Sequence, residues 1–385
     1  MKLGQVFDPR NNALNAFRLA LAVSVILLHS FPLTTGRNVP FAPARQLLGS
    51  VGVDGFFAIS GFLITASWLR HPRVRDYFLA RGLRILPGLW VCLAVTAFVI
   101  APIGVAVQGG SARKLLLSTA PIEYVVENSA VVLVKLGVGG TPSGIPWPGY
   151  WDASLWTLMW EVFCYIAVAC FGVVGLLTRR WFLPALMALA VFWAALLPPW
   201  EFLGSVTWEM VAARFALMFL AGALLHQFRN VIPARWSLVA VSVVVVLAAS
   251  QLPDYRVVGA IPLAYAIIVS GALIHNERLR LRTDLSYGVY IYAFPIQQLL
   301  VICGLAAMNP LVFFVLATIA TLPVAALSWF LVEKRAMALK SRLIRKRSVE
   351  PVPGGEARDP SENSSRPKEI FPSQPAATRD ASGVG

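Results

Sequence analysis

The stretch FRLALAVSVILLHS, residues 17–30, is apolar almost throughout, yet it carries Arg18 near its start and His29 near its end. Several apolar runs of this chain have about 17–22 residues, the length at which a helix crosses a hydrocarbon core ~30 Å thick. Charged groups are costly at that depth and usually face a cavity or a partner. The stretch therefore predicts a membrane-spanning helix whose two ionisable side chains need an explanation.

Arg18 and His29 fall on one face of such a helix, because eleven residues at 100° each end about 20° past three full turns. They lie about 16 Å apart along the helix axis. Two interpretations fit this spacing. Either Arg18 is an anchor that reaches the nearer membrane surface and His29 is an interfacial residue, or the pair holds an anion at one end and handles a proton at the other.

The composition is that of an integral membrane protein in a lipid bilayer. The 385 residues are 57% hydrophobic and only 14% charged, with a mean hydropathy of +0.69, so polar side chains are too few to cover a water-soluble fold. The net charge of +14 does not indicate a nucleic-acid partner, because most Lys and Arg lie in short clusters between apolar runs. We predict an all-α bundle of ten transmembrane helices, at about 13–33, 50–69, 84–106, 154–177, 181–198, 209–227, 236–251, 257–275, 285–304 and 310–332.

The distribution of Lys and Arg predicts the orientation of the bundle. With a cytoplasmic N-terminus, basic clusters such as those in 70–84 and 333–347 lie inside, and the opposite connections carry few basic residues. The positive-inside rule then puts both termini in the cytoplasm and the protein in the inner (plasma) membrane. Residues 1–347 form the membrane domain, and 348–385 form a disordered cytoplasmic tail rich in Pro, Gly, Ser and charges. The long outer connection 107–153 is typical of a lid or binding loop.

Further polar residues lie in or next to the predicted spans. Asp54 and Ser60 fall in the second span, within GVDGFFAISGFLIT. Arg81 and Arg84 lie three residues apart at the start of a helix, where two guanidinium groups on one face suit a phosphate or pyrophosphate, unless they only anchor the topology. Glu161 lies about two turns into the fourth span. It is either the structural partner of an Arg or His or part of an active site.

The order of these motifs resembles the membrane acyltransferase-3 family. FRLALAVSVILLH is similar to the family's Arg-x10-His first span, RGLRILPGLW to its Arg-x-x-Arg loop, and SLWTLMWE, with Trp156 and Glu161, to its Trp-Ser-Leu-x-x-Glu element. GVDGFFAISGFLI, LSYGVYIYAFPI and LSWFLVEKR resemble the second, late and final spans. The chain departs from the family at Thr157, where Ser is usual, and at Ala293, where many members have a second membrane His.

The resemblance implies an enzyme that moves an acyl group from cytoplasmic acyl-CoA, commonly acetyl-CoA, to a hydroxyl of a carbohydrate or glycolipid at the outer face. No metal and no permanently bound cofactor is expected. A neutral imidazole can take the proton of a sugar hydroxyl as that hydroxyl attacks the thioester. The residues carried over are His29 and Glu161 as catalytic, Arg18, Arg81 and Arg84 as donor-binding, and Asp54, Ser60 and Trp156 as supporting.

A second hypothesis is a transporter or flippase of a polar lipid or glycan without acyl chemistry. Ten spans with buried charges permit it. Against it, the buried charges cluster in the first four spans, and no two halves show matching spans broken by Gly or Pro, which mark many transporters. The sequence does not identify the acceptor or the acyl chain.

Overall fold

A computed structural model describes residues 1–37, 39–198, 206–281 and 283–339. In these ranges the chain is helical and contains no β-strand, only isolated bridges such as that between Lys2 and Pro233. The predicted tail, 348–385, lies outside the described residues.

Ten apolar helices follow one another along the described chain, and three of them have fewer than 18 residues. The other seven are long and apolar enough to cross a membrane. The prediction of an all-helical membrane protein is confirmed at this level, while the number of ten spans stays a prediction. The helices are α1 (Leu14–Thr35), α2 (Val51–Arg70), α3 (Val74–Val107), α4 (Trp156–Val173), α5 (Phe182–Leu196), α6 (Trp208–Gln227), α7 (Trp236–Ala249), α8 (Arg256–Leu273), α9 (Ser286–Ile302) and α10 (Pro310–Leu339).

The third helix begins at Val74, ahead of the predicted start at residue 84. A hydropathy pattern ends where charges appear, but Arg, Leu and Ala are good helix formers whether or not they lie in a membrane. Asp76 in the first turn also complements the positive end of the helix dipole. Arg81 and Arg84 therefore lie inside a helix, one turn apart, and not in the connection before it.

Two glycines let α2 and α6 approach at backbone distance. A Cβ atom added to Gly61 would lie 1.9 Å from the carbonyl oxygen of Phe219, and one added to Gly222 would lie 1.9 Å from that of Ala58. Small residues of this kind allow close helix packing in a membrane protein. Replacing either glycine by alanine requires the two backbones to separate.

The first helix occupies a central position in the bundle. It packs against α2 on one side and against α9 and α10 on the other, while α2 also contacts α4. The connection from α3 to α4 contains two short helices, Ala112–Leu116 and Ala120–Asn128. This arrangement brings the polar residues of α1 next to those of α2, α3, α4 and α9.

Candidate active site

A cavity of about 360 Å³ lies between α1, α2, α3, α4, α9 and the end of α10. Five residues singled out in the sequence line it together, although they come from four different helices. These are Arg18, Ser60, Arg81, Arg84 and Glu161. We call it the arginine cavity.

Asp284, directly before α9, joins two of the arginines. Its Oδ2 atom accepts a hydrogen bond from Arg18 at 2.8 Å and another from Arg84 at 2.6 Å. Burial alone would raise the pKa of Asp284, but the guanidinium groups of Arg18 and Arg84 hold it at about 2. The carboxylate is therefore charged and fixes the positions of both arginines.

Arg84 has a second acidic neighbour. Glu333, in a π-helical turn of α10, lies 3.5 Å from the guanidinium of Arg84 and is 2% exposed. Ser328 donates a hydrogen bond to Glu333. Arg84 also lies over the ring of Tyr287. Arg84 is thus surrounded by protein groups that neutralise it.

Arg81 differs from the other two arginines. It lines the cavity, and in the part of the chain that the structure describes it forms no salt bridge. Its guanidinium lies over the ring of Tyr165, 5.9 Å from the centroid. Tyr165 and Ser60 both donate hydrogen bonds to one oxygen of Glu161. Arg81 is therefore the guanidinium in this cavity best placed to meet an incoming anion.

His29 lies further along α1 and is only 6% exposed. Its ring contacts Phe294 of α9 edge-on, with centroids 5.0 Å apart, and Trp147 of the α3–α4 connection at 5.9 Å. Tyr290, one helical turn before Phe294, lines the arginine cavity, and its hydroxyl is hydrogen-bonded to Thr157 at 2.6 Å. The layer of Tyr290 and Thr157 thus lies between the arginine cavity and the surroundings of His29.

A glutamine holds the segment that contacts His29. The side-chain amide of Gln298 donates hydrogen bonds to the carbonyl oxygens of Trp147 and Tyr150, at 2.8 and 2.7 Å. Gln298 itself is fully buried, and the two backbone acceptors satisfy its amide nitrogen, which would otherwise be costly to bury. The half-buried ring of Trp147 is therefore a fixed neighbour of His29.

The other two predicted residues lie outside the lining of the arginine cavity. Asp54 is fully buried and accepts hydrogen bonds from Arg214 at 2.8 Å, Arg256 at 2.7 Å and Tyr255 at 2.6 Å. This cluster ties α2, α6 and α8 together. Trp156 packs against Phe215 of α6, with centroids 5.6 Å apart.

Comparison with known proteins decides the family. The family profile described as an acyltransferase domain, that of acyltransferase-3, matches residues 11–330. The chain belongs to the acyltransferase-3 family. Its relatives include a protein named O-acetyl transferase from Shigella phage Sf6, 26% identical over 362 residues that cover 86% of this chain and 98% of the relative. Another is Nodulation protein 10 of Rhizobium leguminosarum bv. viciae, 27% identical over 372 residues, covering 88% and 96%. No solved structure matches the chain.

The predicted family and the predicted class of enzyme are confirmed by these matches. The protein is an O-acyltransferase, and with its apolar helices it is a multi-pass membrane protein. The roles of individual site residues are not tested by the matches and stay predictions.

Several residues of this acyltransferase that line the arginine cavity or contact its arginines were not predicted as site residues. Asp284 immediately precedes the LSYGVYIYAFPI motif and lies at the same end of the bundle as Arg18. The available signal was an acidic residue next to a predicted span, at the end of the bundle where arginines were expected. Tyr290 and Glu333 lie within the motifs LSYGVYIYAFPI and LSWFLVEKR, and Tyr165 lies one helical turn after Glu161, so the motifs were the available signal for these three residues.

Proposed function

We propose that this O-acyltransferase takes its acyl group from acyl-CoA, acetyl-CoA above all, and transfers it to a hydroxyl of a glycan or glycolipid. The observation that carries the proposal is the arginine cavity, which opens beside α1, the helix that also bears His29. Three guanidinium groups around one cavity suit a phosphorylated donor.

The donor would enter from the end of the bundle that holds Arg18, with its diphosphate near Arg81. Arg18 and Arg84 are already paired with Asp284, so they contribute positive potential and a fixed shape, whereas Arg81 can form new charge-assisted bonds. The pantetheine arm would run along the cavity towards Tyr290. Passage of the thioester to His29 then requires the layer of Tyr290 and Thr157 to open.

The chemical step is assigned to His29. Its imidazole takes the proton of the acceptor hydroxyl while the hydroxyl oxygen attacks the thioester carbonyl. The tetrahedral intermediate collapses with cleavage of the carbon–sulfur bond, and the imidazolium returns the proton to the departing CoA thiolate. Glu161, bonded to Ser60 and Tyr165, faces the arginine cavity and would act on the donor side.

Transfer to a hydroxyl is supported by the relative named O-acetyl transferase, and a carbohydrate as the acceptor is supported by the aromatic rings beside His29. Trp147 and Tyr150 offer ring faces on which the apolar side of a sugar can stack. The basic clusters at the end that bears Arg18 support an orientation with that end, and both termini, in the cytoplasm of the inner membrane.

The test compares envelope glycans, by mass spectrometry, from cells that produce the wild type or His29→Gln at equal abundance. We expect acylated glycan with the wild type and unmodified glycan with the variant. Equal acylation with both proteins would overturn the proposed role of His29. Loss of the glycan itself would instead support transport without acyl chemistry.

A further inference from the structure

A second cavity, of about 410 Å³, lies beside the arginine cavity and is not used by the function proposed so far. It is formed by the segment before α1, the first residues of α1 and the connection from α8 to α9. Leu63 of α2 lines both cavities, so they are direct neighbours. The lining is Pro9, Arg10, Asn12, Leu14, Asn15, Leu63, Arg280 and Leu281.

Hydrogen bonds across this cavity connect its two sides. Asn15 donates to the carbonyl oxygen of Leu281 at 2.9 Å, and Arg280 donates to the carbonyl oxygen of Arg10 at 3.3 Å. The segment before α1 and the α8–α9 connection, which are about 270 residues apart in sequence, are thus held together. The cavity is a feature of the fold and not a gap between unconnected loops.

The charge of the cavity is positive. Arg10 and Arg280 are both exposed, and neither forms a salt bridge with any residue that the structure describes. The nearby carboxylate of Asp8 accepts a hydrogen bond from the backbone N–H of Arg10, not from its guanidinium. Two guanidinium groups at one concave surface are therefore available to an anion.

We propose that this second cavity binds the adenosine 3′-phosphate portion of CoA. This inference rests on the proposed function, because it extends the donor site beyond the arginine cavity. The 3′-phosphate would lie between the guanidinium groups of Arg10 and Arg280, which suit phosphate geometry. Leu63 and Leu281 supply apolar surface for the adenine ring.

The order of groups along CoA matches the order of features in the protein. CoA runs from its thioester through pantetheine and the diphosphate to adenosine 3′-phosphate. The protein presents His29, then the arginine cavity with Arg81, then Leu63 as the shared wall, then Arg10 and Arg280. One extended donor is therefore expected to pass Leu63, which both cavities share, and to occupy both of them, with its most charged groups at the N-terminal end of α1.

The experiment compares the binding of CoA and 3′-dephospho-CoA, which lacks only the phosphate in question. Affinities are measured by calorimetry on purified wild type, Arg10→Gln and Arg280→Gln. Arg180→Gln is the matched control, since Arg180 is exposed, lies in the connection between α4 and α5 and lines neither cavity. We expect each cavity variant to bind CoA about tenfold more weakly and dephospho-CoA as the wild type does. The control should bind both ligands normally.

Four results of these measurements would overturn the inference, and they are distinguishable. Equal losses for CoA and dephospho-CoA would show a general effect of charge or folding. No loss for either ligand would show that the arginines do not contact the donor. If the wild type binds CoA and dephospho-CoA equally well, the 3′-phosphate site is refuted and the proposed function is not. If the wild type does not bind CoA at all, the 3′-phosphate site and the proposed function are both refuted.

An anionic lipid headgroup offers the same phosphate chemistry, so the measurements are repeated with vesicles of phosphatidylglycerol. Competition between these vesicles and CoA that disappears in Arg10→Gln would support the inference, with one phosphate site that both ligands share. Variants that change vesicle binding while leaving CoA binding untouched would assign the cavity to the lipid and overturn the inference.

Discussion

Arg81 and Arg84 lie one turn apart on α3, and their replacement by alanine should have different consequences. Arg84 contacts two buried carboxylates, Asp284 at 2.6 Å and Glu333 at 3.5 Å. Removing one partner of a buried ion pair costs roughly 3–5 kcal/mol, because the remaining charge stays buried. Arg18 still pairs with Asp284, so we expect Arg84→Ala to lose stability towards the lower end of this range.

Arg81→Ala should leave the fold intact and weaken donor binding. In the described part of the chain Arg81 forms no salt bridge, so its loss strands no carboxylate. A hydrogen bond between charged groups contributes about 1.5–3 kcal/mol, which corresponds to a dissociation constant for CoA raised about 10- to 150-fold. Calorimetry with CoA measures the affinity, and the melting temperature in detergent measures the stability.

Arg73→Ala is the control from the same segment, because Arg73 is 80% exposed and its only salt bridge in the described residues is at 4.0 Å to Asp76. It should change neither quantity. The reasoning is refuted if Arg81→Ala binds CoA like the wild type. It is equally refuted if Arg84→Ala melts at the wild-type temperature, since the buried carboxylates would then not depend on their partner.

Three further predictions concern single side chains. His29→Gln should lower the rate of acyl transfer about 10²–10⁴-fold, in a sample that is confirmed to be monodisperse and to bind CoA. If the variant retains more than a tenth of the wild-type turnover, His29 orients the substrate and is not the base. Glu161→Gln, at normal abundance, should turn over roughly tenfold more slowly or worse, as for a charged donor-side contact; normal turnover would show the carboxylate to be dispensable. The pKa of Asp284 is about 2, below its ordinary 3.8. The wild type is therefore stabilised relative to Asp284→Asn fully above about pH 4, and this stabilisation falls as the pH approaches 2. A difference in melting temperature between the two proteins that stays constant from pH 5 to below pH 3 would contradict the ion pair.

The helices could be predicted from the sequence because a membrane span depends on the hydropathy of a continuous stretch of the chain. Apolar runs and the charges that end them predict the helices from α1 to α10 to within a few residues at most ends. The start of α3 was misjudged because residues 74–83 form a helix whose arginines interrupt the apolar pattern. Hydropathy reports contact with lipid, whereas helix formation also depends on propensity and on what the far side of the helix contacts.

Only some of the residues of the candidate site could be predicted from the sequence. Motifs predicted Arg18, Arg81, Arg84, Ser60 and Glu161, and all five line one cavity. Their partners could not be derived in the same way. The bond from Arg18 to its carboxylate joins residues 266 positions apart, and which acidic side chain lies opposite an arginine depends on helix packing that no local pattern records.

The two clusters of arginine and carboxylate in this bundle have the same chemistry but different surroundings. Around Asp54, Arg214 and Arg256 are both buried and both donate hydrogen bonds to Asp54, and none of these three residues lines the arginine cavity. This cluster holds α2, α6 and α8 together. Around Asp284 the arginines line open space, and Arg81 beside them lacks a carboxylate among the described residues. A guanidinium without a salt bridge beside a cavity can form charge-assisted bonds with an anion, and for this reason we propose the second cluster as the donor site and His29, beyond it, as the site of the chemical step.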